Sequence, residues 1–170
     1  ITGEYTATFT GAQLTGESIT LIGSTANVQA LVVNATAGGT TDLSNVTAGT
    51  NWTSGIDTVT INGADASNEV ILGSQLADSI SGGTGADTLT GGAGADSLNG
   101  GDGNDTFRFA SGTELNADDA VVGGNDTDII EITAADTGLV DTDFDKVSSV
   151  EVLTLTGAST AVLGTYANTA

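Results

Sequence analysis

The sequence predicts an all-β fold in which short parallel strands and tight turns are wound into a solenoid. Residues 82–108 read as three contiguous nonapeptides, GGTGADTLT, GGAGADSLN and GGDGNDTFR. The glycines allow positive φ at little steric cost, so the first six residues of each unit can form a turn. The last three form a short strand whose central residue, Leu89, Leu98 or Phe107, points inward. Two units would complete a coil of about 18 residues, so alternate turns stack on the same edge.

Each nonapeptide also carries an aspartate at its sixth position, namely Asp87, Asp96 and Asp105. Stacked turns can surround an ion with carboxylate and backbone carbonyl oxygens, about six in all, which suits a hard cation such as Ca²⁺. The net charge is −20, and only Arg108 and Lys146 oppose 22 acids, most of which lie over the repeats. This composition favours cations as partners and disfavours nucleic acid and anionic membranes. It also fits a chain that is disordered without metal.

The residue types that are missing restrict the chemistry. The chain has no Cys, His, Met or Pro, which excludes thiolate and imidazole metal sites and His-based triads. No apolar run reaches the ~20 residues of a membrane span, so no membrane insertion is expected. An EF-hand loop around Asp102 would need Gly where Phe107 stands. A glycosidase-like carboxylate pair is conceivable, but cation binding is a better use for the acids, and we expect no enzyme activity.

The N-terminal residues 1–63 are predicted to form a metal-free β-coil or cap region. Two apolar residues two apart, followed by a small residue, recur every twelve residues. The copies are Ala7-Phe9-Gly11, Ile19-Leu21-Gly23 and Leu31-Val33-Ala35. Phe9, Trp52 and Phe107 are expected in the core. The chain begins at Ile1, so we expect it to be a piece of a longer protein.

The nine-residue register extends on both sides of the three full repeats, over residues 64–131. Before them, the units 64–72 and 73–81 place Glu69 and Asp78 at the sixth position. After Phe109 the register is lost through residues 110–122, which we interpret as an insertion or an enlarged coil. It returns as GGNDTDIIE from Gly123, with Asp128 at the sixth position.

The C-terminal residues 132–170 are predicted to be an acidic loop followed by a β-coil or cap. Residues 136–149 suggest an acidic loop or one short helix. The earlier strand pattern then returns with Leu153, Leu155 and Gly157.

The nonapeptides resemble the calcium-binding repeat of the RTX family of secreted bacterial proteins. The resemblance covers about residues 64–131 and is strongest at 82–108. It implies a right-handed parallel β-roll or β-helix that holds several Ca²⁺ ions between stacked turns. It also implies export by type I secretion and folding outside the cell. The segment SSVEVLTLTGAST at 148–160 resembles repeats of S-layer and adhesin-like surface proteins.

The resemblance also implies which oxygens would bind the ions. Stacking pairs Asp78 with Asp96 on one edge and Asp87 with Asp105 on the other. Alternating carbonyls, in an order taken from the family, would be Ser74 and Leu76 with Gly91 and Ala93 on the first edge, and Gly83 and Gly85 with Gly100 and Asp102 on the second. The full candidate set is Glu69, Ser74, Leu76, Asp78, Gly82, Gly83, Thr84, Gly85, Asp87, Gly91, Gly92, Ala93, Gly94, Asp96, Gly100, Gly101, Asp102, Gly103, Asp105, Gly123, Asn125 and Asp128.

The shifted repeat suggests one further calcium site. The turn Gly101–Asp105 would face the turn Gly123–Asp128, with five extra residues looped out at modest entropic cost. Asp128→Ala would then remove one ion. The alternative is that the roll ends at Phe109.

These features favour a calcium-dependent structural module of a secreted or cell-surface bacterial protein, S-layer or adhesin-like. An alternative is the non-catalytic calcium module of a secreted enzyme such as a protease, lipase or alginate epimerase. A third is ice or glycan binding by an outer face with Thr88, Thr90 and Thr106, which Arg108 interrupts. Expected partners are calcium, neighbouring repeats or copies of the parent protein, and cell-surface polysaccharide.

Overall fold

The computed structural model describes residues 5–23, 28–64, 66–111, 113–134, 139–156 and 161–162. These residues form strands joined by tight turns, one short α-helix, α1 (Gly11–Leu14), and one 3₁₀ helix (Asp141–Phe144). Neither helix is long and apolar enough to cross a membrane. The strands are β1 (Tyr5–Thr10), β2 (Ile19–Leu21), β3 (Gln29–Asn34), β4 (Thr40–Asp42), β5 (Val46–Ala48), β6 (Thr58–Asn62), β7 (Val70–Leu72), β8 (Asp78–Thr84), β9 (Thr88–Thr90), β10 (Ser97–Asp102), β11 (Thr106–Phe109), β12 (Ala120–Asn125), β13 (Ile129–Ile132), β14 (Leu139–Val140), β15 (Val147–Ser148), β16 (Val152–Leu155) and β17 (Ala161–Val162).

The strands form two main parallel sheets, and the chain alternates between them along most of its length. One sheet has seven strands in the order β1-β3-β6-β8-β10-β12-β15, and the other has six in the order β16-β13-β11-β9-β7-β4. Two further parallel pairs, β2 with β5 and β14 with β17, lie outside these sheets. Because successive strands stack in sequence order, the chain is a parallel β-roll, and the predicted fold class is confirmed.

The coil length follows the sequence repeat. Ser79 on β8 lies opposite Ser97 on β10, a coil of 18 residues made of two nonapeptides. Ser97 in turn lies opposite Ala120 on β12, so the next coil has 23 residues. Strand β12 begins at Ala120, so the last residues of the segment 110–122 already belong to the sheet. The roll therefore continues past Phe109.

The twelve-residue pattern of the N-terminal region also forms strands. Its three copies fall on β1, β2 and β3, and β1 pairs with β3 so that Phe9 lies opposite Val33. Alternate copies therefore stack, as alternate nonapeptides do. At the other end of the chain, the 3₁₀ helix lies within the predicted acidic segment 136–149. The predicted C-terminal coil or cap lies partly outside the described residues.

The core is a column of apolar side chains between the two sheets. Leu89, Leu98 and Phe107 are at most 1% exposed, as predicted from their place in the repeat. The buried apolar residues are Leu14, Leu31, Val33, Leu43, Val46, Val59, Ile61, Ile71, Ile80, Leu89, Leu98, Phe107, Phe109, Leu115, Val121, Ile130, Ile132 and Leu139. Each strand from β5 to β13 contributes one or two of these residues, and they stack each coil on the next.

The expectation that Phe9 is a core residue is wrong, since its side chain is 36% exposed. Phe9 lies on β1, the first strand of its sheet, where no earlier described coil covers the interior. There it lines a cavity of about 470 Å³ together with Leu14, Leu31 and Trp52. Trp52 is half-buried and packs against the core.

The enlarged coil provides a matched test of the strand register. Val121 is fully buried, whereas its neighbour Val122 on the same strand is 40% exposed. Val121→Ala should lower the free energy of unfolding by about 2 kcal/mol, because it removes two buried carbon atoms and leaves a cavity. Val122→Ala should lower it by less than about 1 kcal/mol. Urea unfolding in saturating calcium measures both, and equal losses would contradict this register.

Candidate metal centre

The glycine-rich turns bring successive coils into close backbone contact. Gly101 and Gly103 have φ of 112° and 121°, which a residue with a side chain rarely adopts. A Cβ atom on either glycine would also overlap the carbonyl oxygen of Gly83 or Gly85 in the preceding turn. The carbonyls of Gly83 and Gly85 therefore point forward, toward the turn one coil later.

Other carbonyls of the later turn point back toward the earlier one. The carbonyl oxygen of Gly100 would lie 2.7 Å from a Cβ atom on Gly82. The carbonyl of Asp102 accepts a hydrogen bond of 2.8 Å from the N–H of Gly85. Forward and backward carbonyls are thus both present between the two stacked turns. The Thr84 hydroxyl, in contrast, accepts a hydrogen bond from the N–H of Ala66 in the preceding loop.

The opposite edge of the roll has the same arrangement. The carbonyl oxygens of Ser74 and Leu76 face forward, because a Cβ atom on Gly92 or Gly94 would meet them. The carbonyl of Gly91 faces back toward the Gly73 turn, and Ala93 is exposed at the tip of its own turn.

A ladder of acidic side chains runs along the edge that carries Asp87. Each carboxylate accepts a hydrogen bond from the backbone N–H of the acid one coil earlier. Asp87 accepts from Glu69 at 2.7 Å, Asp105 from Asp87 at 2.8 Å and Asp128 from Asp105 at 2.8 Å. On the other edge, Asp96 accepts from the N–H of Asp78 at 2.9 Å. The stacked pairs predicted from the 18-residue coil are therefore adjacent.

The second oxygen of these carboxylates indicates what the turns can bind. Oδ2 of Asp87, Asp105 and Asp128 and Oε2 of Glu69 are buried and have no hydrogen-bond donor among the described residues. Buried acceptors without donors are rare in folded proteins and require a partner. Oδ2 of Asp87 would lie 2.5 Å from a Cβ atom on Gly82, beside the backward carbonyl of Gly100. Oxygens without hydrogens that converge in this way fit a cation such as Ca²⁺.

The sites combine carboxylates with backbone carbonyls instead of clustering side chains. Among the described residues, no three Asp or Glu side chains come close enough to hold an ion by themselves. On the first edge, Oδ2 of Asp78 already accepts a hydrogen bond of 2.7 Å from the N–H of Ser74. An ion there would be bound mainly through other oxygens of the two turns.

Burial raises the pKa values of the stacked carboxyls. The pKa of Asp78 rises to about 8, first because burial removes water from the carboxylate and then because Asp96 lies nearby, although hydrogen bonds from Ser74 oppose the rise. The pKa values of Asp96 and Asp105 rise to about 6, again chiefly through burial. Burial also raises the pKa values of Asp87, Asp119 and Asp128. Without a cation, the folded roll therefore favours protonated carboxyls.

The shifted repeat stacks on the last full repeat. Gly124 and Asn125 lie opposite Gly101 and Asp102 in the sheet. A Cβ atom on Gly100 would lie 2.6 Å from the carbonyl oxygen of Gly123, so this carbonyl faces back. The carboxylate of Asp128 also accepts a hydrogen bond from the N–H of Asp105, 23 residues earlier. The two turns therefore face each other.

Two acids of the ladders, Asp119 and Glu151, are not predicted by the nonapeptide pattern. Asp119 accepts a hydrogen bond of 2.8 Å from the N–H of Asp96 and another from the N–H of Asn116, and Glu151 accepts one of 2.8 Å from Asp128. Both acids lack a glycine-rich turn before them. They do keep the acid-x-apolar triplet, with Val121 and Leu153 two residues later. That triplet could have located them.

Residues 72–107 match the family model of the RTX calcium-binding nonapeptide repeat in four copies. These residues are RTX repeats, and RTX repeats bind Ca²⁺. Several copies imply several ions, so the predicted cofactor is confirmed. The chain therefore contains a calcium-binding structural module of the RTX type. No curated protein and no solved structure matches the chain.

The raised pKa values predict how the metal-free roll depends on pH. Its folded state holds more protons than the unfolded chain between about pH 4 and 8, so stability falls as the pH rises through this range. In chelator, the folded fraction measured by circular dichroism should therefore be higher at pH 5 than at pH 8. Asp78→Asn should flatten the part of the change above pH 6, and the exposed Asp145→Asn is the control. A folded fraction that increases with pH in chelator would contradict this.

Proposed function

We propose that the chain is a calcium-dependent structural module of a secreted or cell-surface bacterial protein, S-layer or adhesin-like. The observation that supports it best is the row of buried Oδ2 atoms of Asp87, Asp105 and Asp128, which have no donor among the described residues and lie near carbonyls of the next turn. RTX proteins typically leave the cell by type I secretion. Extracellular calcium modules bind with dissociation constants of about 10⁻⁴–10⁻³ M, so calcium outside the cell would fill such sites.

Each ion would lie between two turns one coil apart. On the second edge, we propose ligation by the carbonyls of Gly83 and Gly85, by that of Gly100, and by the carboxylates of Asp87 and Asp105. Their orientations support this set, since the first two carbonyls face forward, the third faces back, and Oδ2 of Asp87 has no donor among the residues that the structure describes. On the first edge the corresponding carbonyls are those of Ser74, Leu76, Gly91 and Ala93, with Asp78 and Asp96.

Calcium binding and folding would be one event. Glu69, Asp87, Asp105 and Asp128 are at most 1% exposed, and they repel one another when ionised. Because the coordinating oxygens converge only in the stacked roll, binding free energy becomes folding free energy. The metal-free chain at neutral pH would then remain largely unfolded, which suits export in an unfolded state.

We propose that this chain is not itself catalytic. It has no His or Cys, and its buried acids are placed between turns, not in a cleft. The cavity at the N-terminal end of the described roll is lined by residues such as Phe9, Leu21 and Trp52, and none of the described residues that line it is an acid or a base. Turnover of a polysaccharide, ester or peptide by the isolated chain would contradict this proposal.

The partners we propose are copies of the parent protein or cell-surface polysaccharide. A flat threonine face, as for ice or glycan, has weaker support. Thr88 on β9 lies opposite Thr106 on β11, but the residue opposite Thr106 on the next strand, β13, is Ile129. The row of hydroxyls therefore ends after two strands.

Calcium-dependent folding can be measured directly at neutral pH. In chelator, the far-ultraviolet circular dichroism spectrum should be that of a largely unfolded chain, because charged carboxylates cannot be buried without a counter-ion. Millimolar calcium should convert it to a β spectrum, whereas equal magnesium should do so weakly, since Mg²⁺ demands a smaller octahedral site. Identical, fully folded spectra with and without calcium would overturn the proposed function.

A further inference from the structure

The acidic ladder extends beyond the glycine-rich repeats, into a segment that has no repeat motif. Glu151 accepts a hydrogen bond from the N–H of Asp128 through Oε2 at 2.8 Å. The spacing of 23 residues equals that between Asp105 and Asp128. Residues 148–152 read SSVEV and contain no glycine. Yet they continue the stacking, because Val122 pairs with Ser148 and Ile129 pairs with Val152.

The buried oxygen of Asp128 faces this segment. Asp128 is fully buried, and its Oδ2 has no hydrogen-bond donor in the part of the chain that the structure describes. A Cβ atom on Gly123 would lie 2.5 Å from this Oδ2 and would overlap the carbonyl oxygen of Ser149. The two oxygens are therefore neighbours and point into the same space. In the full repeats, Asp87 Oδ2 and the carbonyl of Gly100 have the same relation.

The turn on the other side keeps the backbone conformation of the repeats. Gly124 has φ of 123°, and Asp126, where the repeats have their third glycine, has φ of 78°. Aspartate is among the few residues with a side chain that tolerate this conformation. The second and fourth positions of the turn thus have positive φ, as the corresponding glycines of the full repeats do.

We infer that Asp128, Ser149 and Glu151 form a terminal Ca²⁺ site, one coil beyond the shifted repeat. This inference rests on the proposed function. The ligands would be Oδ2 of Asp128, the carbonyl of Ser149, the carboxylate of Glu151 and forward carbonyls of the 123–128 turn. Only Val150 separates Ser149 from Glu151, so one short segment supplies both oxygens. This site has fewer carbonyl ligands than the others, and Glu151 is exposed, so water would complete the coordination shell. We therefore expect this site to bind calcium most weakly and to fill last.

Glu151→Gln tests the site with little structural change. Glutamine keeps an oxygen that can accept the hydrogen bond from Asp128, but it lacks the charge that binds calcium. Native mass spectrometry in saturating calcium should count one ion fewer than in the wild-type chain. Glu131→Gln, which only breaks the surface ion pair with Arg108 at 2.9 Å, is the matched control and should leave the count unchanged.

Asp128→Ala distinguishes the terminal site from the site between Asp105 and Asp128. If Asp128 ends the ladder, this variant loses one ion, whereas a terminal site with Glu151 makes Asp128 a ligand of two ions and the loss is two. Hydrogen exchange should also show faster exchange in β16 of Glu151→Gln at the calcium concentration that fills the last site. A Glu151→Gln chain that keeps every ion would overturn the inference. A wild-type chain without calcium would instead overturn the proposed function.

Discussion

The structure depends on the burial of like-charged carboxylates directly above one another. Coils of 18 and 23 residues place Glu69, Asp87, Asp105 and Asp128 at the same corner of successive turns. One oxygen of each carboxylate accepts a hydrogen bond from a backbone N–H of the preceding coil, and the other has no donor among the described residues. Burying charges in this way is costly unless an opposite charge accompanies them. Only protons or cations can supply that charge, since the chain has just two basic residues.

The core and the ion sites are linked by the acid-x-apolar triplet. In Asp87-Thr88-Leu89, the acid closes the turn and the leucine, two residues later, is fully buried between the sheets. Side chains two apart on a strand share a face, so the register of the core fixes the stacking of the acids. An error of one residue would expose the apolar column and separate the carboxylates at once. Packing and ion binding therefore specify the same register.

Much of this arrangement could be predicted from the sequence because the repeats carry both signals. The coil length follows from glycines that need positive φ, aspartates nine residues apart and inward apolar residues. The same features predict the pairs Asp78–Asp96 and Asp87–Asp105. Asp119 and Glu151 were missed, because no glycine-rich turn precedes them and they are identified only by stacking. The prediction that Phe9 is buried was wrong. An apolar residue in a strand pattern does not show that its strand lies at the end of the described sheet.

The most direct test of this account is anomalous diffraction from crystals of the chain grown with calcium. Peaks should lie between turns one coil apart, within bonding distance of Oδ2 of Asp87 and the carbonyl of Gly100, and likewise for Asp105 with Gly123. Each ion should have oxygens from two turns. Ions bound within single turns, or a folded roll with no ion beside these buried oxygens, would contradict the claim that calcium joins the coils.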